Sequence, residues 1–154
     1  MSNGTRTQNR SNTTSKSNRY SGYSGQTYAI GLATKGSDGW TNRGPVLELN
    51  SEGDDDNTAV AQPSVLEHNG ALRMWFGGYD TSLTDPGPWR ILTAISDDGI
   101  SWSDRQLALE LTDTGEEAWS VREPSLALWR GQLWMAYIGM GDDGAYRLRT
   151  AVCE

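Results

Sequence analysis

Gln62-Pro-Ser-Val-Leu-Glu-His-Asn-Gly-Ala-Leu-Arg-Met-Trp-Phe-Gly-Gly78 returns, 61 residues later, as Glu123-Pro-Ser-Leu-Ala-Leu-Trp-Arg-Gly-Gln-Leu-Trp-Met-Ala-Tyr-Ile-Gly139. Pro, Ser, Gly70/Gly131, Leu72/Leu133, Met74/Met135 and Gly78/Gly139 match without a gap. Self-similarity at a constant offset marks one structural unit used twice, the signature of a repeat architecture. Outward from this pair, Ile91-Leu-Thr-Ala-Ile-Ser-Asp-Asp-Gly-Ile-Ser-Trp102 resembles Ile30-Gly-Leu-Ala-Thr-Lys-Gly-Ser-Asp-Gly-Trp40, and a third copy starts at Leu148-Arg-Thr-Ala-Val152. Tyr20-Ser-Gly-Tyr23 echoes Phe76-Gly-Gly-Tyr79.

Each unit reads as four short strands. In the central unit they are predicted at about 63–67, 72–77, 90–96 and 106–111. Asn69-Gly70 and Arg130-Gly131 supply the tight hairpins between first and second strands. Asp97-Asp98-Gly99 turns the third strand toward the fourth. Four-stranded antiparallel sheets stacked radially make a β-propeller. The fold class is therefore all-β, a partial propeller of about two and a half blades, with blade portions at about 19–60, 61–112 and 113–154. The chain is expected to enter near the end of a second strand and to hold three, four and three strands. Ten strands leave the flanks unpaired. Two copies supply twenty, the number for five blades of four, so a homodimer that closes the ring is expected. An isolated open arc and a part of a longer chain are the alternatives.

Composition agrees with a folded domain of short strands and turns. The 154 residues include 18 Gly and 7 Trp but a single Phe, with 36% hydrophobic and 21% charged residues. Residues 1–18 hold no apolar side chain after Met1, so a disordered tail is predicted there. Its Asn3-Gly-Thr, Asn9-Arg-Ser and Asn12-Thr-Thr match the glycosylation sequon, as chance allows in so Asn- and Ser-rich a stretch. Arg6, Arg10, Lys16 and Arg19 give the first 25 residues +4, so the body carries −11 of the overall −7. An acidic body argues against nucleic acid and anionic membrane as partners. Cys153 is the only cysteine and His68 the only histidine. That removes an intrachain disulfide and zinc spacing, and the sequence shows no Ser/His/Asp set or phosphate loop. Without an apolar leader or a membrane-length apolar run, a cytoplasmic location is expected. No cofactor and no metal site are expected.

The blade signature, Pro-Ser-Val, then Met-Trp-Phe-Gly-Gly, then Ala-Ile-Ser-Asp-Asp-Gly-Ile-Ser-Trp, resembles the five-bladed β-propeller glycosidases, the arabinanase, xylosidase and invertase group. The resemblance covers about residues 20–154 at the level of the blade. It implies that the residue before Pro begins the innermost strand and points into a central channel, where that family places catalytic carboxylates, often within Arg-Asp-Pro. The matching positions here are Arg122-Glu123-Pro124 and Ala61-Gln62-Pro63. Glycoside hydrolysis needs two carboxyl groups across the scissile bond. One chain supplies one channel-facing candidate, Glu123; a dimer would bring its symmetry mate. The plainer role for Glu123 is satisfaction by Arg122 or strand amides.

Arg122, Gln62, Trp89, Trp119 and Tyr79 complete the candidate ligand-binding set, since aromatic faces near channel loops suit sugar stacking. Inter-blade packing is the alternative for each aromatic, including Trp129. Asp38-Gly39-Trp40 and Asp98-Gly99 with Trp102 resemble the Asp-box of sialidase-type propellers. They are read as structural: Asp accepts turn amides, Gly takes a positive φ and Trp packs between blades. Glu52 and Asp54-Asp-Asp56 are read as a solvated acidic turn rather than a Ca²⁺ site, and His68 as a hairpin residue. The leading functional reading is a glycosidase-like propeller module that binds carbohydrate in a central channel and is not demonstrably catalytic. A glycoside hydrolase assembled by dimerisation is the first alternative, and a structural or protein-interaction propeller the second.

Overall fold

A computed structural model describes residues 16–50, 55–68, 70–81 and 89–153. Ten strands follow in order: β1 Ser17–Tyr23, β2 Tyr28–Gly36, β3 Gly39–Leu47, β4 Ala59–His68, β5 Ala71–Tyr79, β6 Trp89–Ser96, β7 Ser103–Leu109, β8 Ser120–Trp129, β9 Gln132–Met140 and β10 Tyr146–Cys153. They form three antiparallel meanders, β1-β2-β3, β4-β5-β6-β7 and β8-β9-β10. The count of three, four and three strands is the one read from the repeat. The protein is all-β, a set of partial propeller blades.

Boundaries differ where the sequence is ambiguous. β1 runs seven residues from Ser17, so a nearly full second strand opens the first sheet, and Ser17 and Asn18 of the expected tail belong to it. Lys16 precedes the strand and its carbonyl accepts from Lys35 N–H at 2.8 Å, and residues 1–15 of that tail lie outside the described residues. β4 begins at Ala59 rather than 63, because a bulge carries the ladder past Pro63: Ala61 pairs with Gly77 and Ser64 with Trp75. Proline cannot donate to a ladder and is tolerated at such a bulge. β7 spans 103–109 rather than 106–111.

Strand alternation places the core. Successive side chains point to opposite faces, and the central sheet is covered on both. Its Val60, Met74, Phe76, Leu92 and Ala94 pack on Ile30 and Leu47 of the first sheet. Trp75 and Ile91, on the other face, pack on Val121, Leu133, Met135 and Tyr137 of the third. This two-sided burial explains why Met74-Trp75-Phe76 is continuously apolar.

Polar links reinforce the stack. Arg19 donates to Gly99 O at 2.9 Å and lies over the Trp102 ring, and burial lowers its pKa. Trp102 thus packs between the blades as expected. Trp40 does not: it is 54% exposed. Trp102 packs against the cluster shared with the first sheet, whereas among the described residues no sheet stands opposite Trp40. Asp98 Oδ1 accepts from the amides of Ile100 and Ser101 at 2.7 and 2.8 Å, the expected turn role. His68 pairs with Ala71 at the β4–β5 hairpin.

The acidic stretch departs from its reading. Asp56 is 1% exposed and pairs with Arg105 at 2.6 Å, so it is a buried blade-joining group rather than a solvated one. Arg105 also donates to Glu48 O at 2.8 Å. Asp55 faces Arg90 at 3.7 Å. Glu52 and Asp54 lie outside the described residues. Among the described residues, no group of three or more His, Cys, Asp or Glu side chains is placed to hold a metal ion. No helix among them is long and apolar enough to cross a membrane.

Candidate functional site

β4 and β8 are the first strands of their sheets, and they lie beside each other. Each carries the same bulge: Arg122 pairs with Ile138 and Ser125 with Ala136, leaving Glu123 and Pro124 opposite Tyr137, just as Gln62 and Pro63 stand opposite Phe76. The bulged residues adopt left-handed backbone, φ 59° at Gln62 and 57° at Glu123. This is costly for a residue with a Cβ, and a following proline normally favours extended backbone. Such strain persists only where the surroundings over-determine it, and it clusters at functional sites.

The surroundings here are hydrogen bonds between blades. A bulge removes the residue's amide from the ladder, so each amide needs another acceptor. Gln62 N–H donates to Ser21 Oγ at 2.7 Å. Glu123 N–H donates to Gln62 Oε1 at 3.3 Å, and Gln62 Nε2 donates to Glu123 Oε1 at 3.3 Å. The two bonds fix which way the amide points. Further along the strands, Leu126 N–H donates to Ser64 Oγ at 3.1 Å. Ser21, Gln62 and Glu123 therefore form one polar row across all three sheets.

Aromatic groups flank that row. The Tyr79 and Trp89 ring centroids are 5.1 Å apart. A Cβ on Gly77 would lie 2.9 Å from Gln62 Oε1 and 3.0 Å from the Trp89 ring. The missing side chain at Gly77 thus lets the Gln62 amide and the indole converge. In the third sheet the guanidinium of Arg122 sits 4.7 Å from the Tyr146 ring centroid and its Nε is 3.9 Å from Glu123 Oε1. That separation is a weak ion pair, and the Glu123 side chain stays 51% exposed. The carboxylate is held by an amide yet open to solvent.

The structure therefore brings Gln62, Glu123, Arg122, Tyr79 and Trp89 to one row. No described contact joins Trp119 to them. Its backbone N–H donates to Met140 O at 2.9 Å and its side chain is exposed. Trp129 also lies elsewhere, at the β8–β9 hairpin, with Arg130 stacked over it. Two residues escaped the sequence reading. Tyr146 stands 57 residues after Trp89, the same spacing as Leu148 after Ile91, so the repeat did mark it as the third sheet's counterpart of Trp89. Ser21 carried no comparable signal; only the packing of β1 against β4 sets it beneath the Gln62 amide.

Chemically, the row presents one carboxylate, one carboxamide, one hydroxyl and a guanidinium beside the rings of Tyr79, Trp89 and Tyr146. Such alternating donors and acceptors suit a polyhydroxylated ligand. Among the described residues this row contributes one carboxylate, Glu123, and glycoside hydrolysis uses two.

Comparisons with known proteins bear on the fold. No family model matches the sequence. Two Mycobacterium tuberculosis proteins, Uncharacterized protein MT1551 and Uncharacterized protein Rv1502, are each 34% identical over 90 residues, which covers 56% of this chain and 27% of theirs. Among solved structures, the β-1,2-mannobiose phosphorylase from Listeria innocua superposes with a TM-score of 0.70 at 16% identity over 88% of this chain and 36% of its own. Zg3597, a family 117 glycoside hydrolase of Zobellia galactanivorans, gives 0.64 at 16% identity over 82% and 38%. The Bombyx mori GH32 β-fructofuranosidase BmSUC1 gives 0.64 at 18% identity over 90% and 31%. The chain spans about a quarter of the curated relatives' length and about a third of these solved structures. Three sheets, the bulged first strands of the second and third, and these superpositions together give the chain a β-propeller glycosidase-like fold.

Proposed function

We propose that the Ser21–Gln62–Glu123 row binds carbohydrate and that a single chain does not catalyse its cleavage. The observation that carries this reading is the doubly hydrogen-bonded Gln62–Glu123 pair with Trp89 set against Gln62. A fixed amide and an open carboxylate can meet adjacent sugar hydroxyls, while the indole face covers the apolar side of the ring. Several proteins that share the fold act on glycosides, which supports the ligand class without specifying a sugar or a linkage.

Titration with a panel of oligosaccharides, followed by intrinsic tryptophan fluorescence and a glycan array, tests it. The expected result is a saturable change that Trp89→Ala abolishes and Trp119→Ala leaves within about twofold, because Trp89 and Gln62 both border Gly77 and no described contact brings Trp119 to the row. No response to any glycan would leave a structural or protein-interaction propeller as the better account. A second reading, glycoside hydrolysis, requires another carboxylate across the ligand. Turnover of an aryl glycoside or oligosaccharide that Glu123→Gln removes, with the fold intact, would establish it.

A further inference from the structure

Two acids recur in the segments that lead into the bulged strands. Asp55-Asp56 returns as Glu116-Glu117, the inner acid standing six positions ahead of Gln62 in one blade and of Glu123 in the next. The outer acids have equivalent partners. Arg90 pairs with Gly78 and Arg147 with Gly139 in register, and Arg90 meets Asp55 at 3.7 Å as Arg147 meets Glu116 at 3.2 Å. The inner acids differ. Asp56 turns to Arg105 on β7. Glu117 Oε1 accepts from the Tyr137 hydroxyl at 2.6 Å and from Arg149 Nε at 3.0 Å. Phe76 holds the place of Tyr137 in the second sheet and has no hydroxyl to donate. The blade with the carboxylate therefore has a link that the blade with the carboxamide lacks.

Tyr137 is buried and is the β9 residue opposite the Glu123–Pro124 bulge. Its backbone borders the bulge while its hydroxyl holds the segment that feeds β8. That segment lies flat on the sheet: Trp119 N–H donates to Met140 O at 2.9 Å, and a Cβ on Gly139 would lie 3.0 Å from Glu116 O and Glu117 Cγ. The bonds that Glu123 exchanges with Gln62 are 3.3 Å long, beyond the usual length of about 2.9 Å. A left-handed residue before proline needs more support than that to persist. A phenol–carboxylate bond of 2.6 Å is of the short, strong kind. We infer that Tyr137 is a positioning residue for Glu123: by fastening Glu117 to β9 it fixes the start of β8, and with it the bulge that sets the Glu123 carboxylate against Gln62. As an aid to ligand binding the link rests on the carbohydrate reading of the row; as a constraint on Glu123 it does not.

Nuclear magnetic resonance on the full, ligand-free chain tests it, read at the Glu123 backbone amide and the Gln62 side-chain amide. A mere loss of stability speeds exchange of the Gln62 and Glu123 backbone amides alike and leaves native-state shifts where they are. Tyr137→Phe is expected to move the Gln62 side-chain signal toward that of a free carboxamide. It is also expected to speed Glu123 amide exchange about tenfold relative to the Gln62 amide, which Ser21 holds. Glu117→Ala, which leaves the Tyr137 ring in the core, is expected to do the same. Glu117→Gln keeps an oxygen for the phenol and is expected to leave both readouts in place. Asp98→Ala weakens a turn in the second sheet and is expected to change neither the signal nor the exchange ratio. Readouts unmoved in both Tyr137→Phe and Glu117→Ala overturn the inference, and so does an Asp98→Ala variant that moves them equally. A glycan array on the native chain and on Tyr137→Phe separates this role from the carbohydrate reading. Glycans bound about tenfold more weakly by the variant extend the link to ligands. A native chain that binds none sinks the carbohydrate reading, while the ligand-free signals still decide the role of Tyr137.

Discussion

Gln62 and Glu123 sit 61 residues apart, share left-handed backbone near φ 58°, with 59° and 57°, and exchange hydrogen bonds in both directions at 3.3 Å. Removing the side chain at 123 in two ways separates strain from contact. Glu123→Ala and Glu123→Gly lose the same bond, but only Ala keeps the steric cost of positive φ. The Gly variant is expected to be the more stable of the two by about 1 kcal/mol in denaturant unfolding. Equal stabilities would mean that the left-handed backbone costs nothing here.

Asp56 and Arg105 form a close pair with the carboxylate almost wholly buried. Taking away one partner of such a pair strands the other charge. Asp56→Ala is expected to cost about 3 kcal/mol, and adding Arg105→Met to recover part of that loss. Urea melts of the single and double variants measure both, and a double variant as unstable as the sum would show the two groups to be independent.

Burial, together with donation to Glu117 at 2.6 Å, raises the Tyr137 phenol to about 12 from an ordinary 10.0. The folded chain thus holds this proton more tightly than the unfolded one. Its contribution is complete below pH 10 and is lost as pH rises from about 10 toward 12. Tyr137→Phe is expected to flatten that alkaline loss while costing about 1 kcal/mol at neutral pH through the missing hydrogen bond. Thermal melts across alkaline pH, compared between the two proteins, check the sign.

Asp98 behaves oppositely. Amides of Ser101 and Ile100 hold its carboxylate below the ordinary 3.8. The turn's stabilisation is therefore present above that value and disappears as pH falls through the folded pKa. Asp98→Ala is expected to lower the melting temperature at neutral pH and to remove this acid-induced component. A variant whose melting temperature falls on acidification as steeply as the parent's would show that Asp98 does not carry it.

Blade architecture was legible because it rests on local pattern. Alternation and Gly-containing hairpins mark strands, and a constant offset marks their recurrence, so the three-four-three count needed no packing information. The offset even contained Tyr146. Trp40 and Asp56 were misread for a shared reason. Burial depends on which other blade stands opposite, and neither a Trp after a turn nor an acid in a charged run says so.

The sequence by itself determined the repeat, the all-β class, the strand count and the pre-proline positions Gln62 and Glu123, because each follows from residue type and spacing along the chain. Only the tertiary structure decided that these two side chains meet, that Ser21 caps the row and that Asp56 is buried beneath Arg105. Those facts arise from register between sheets, a relation between distant segments that is set when blade faces pack and that no single blade's sequence contains.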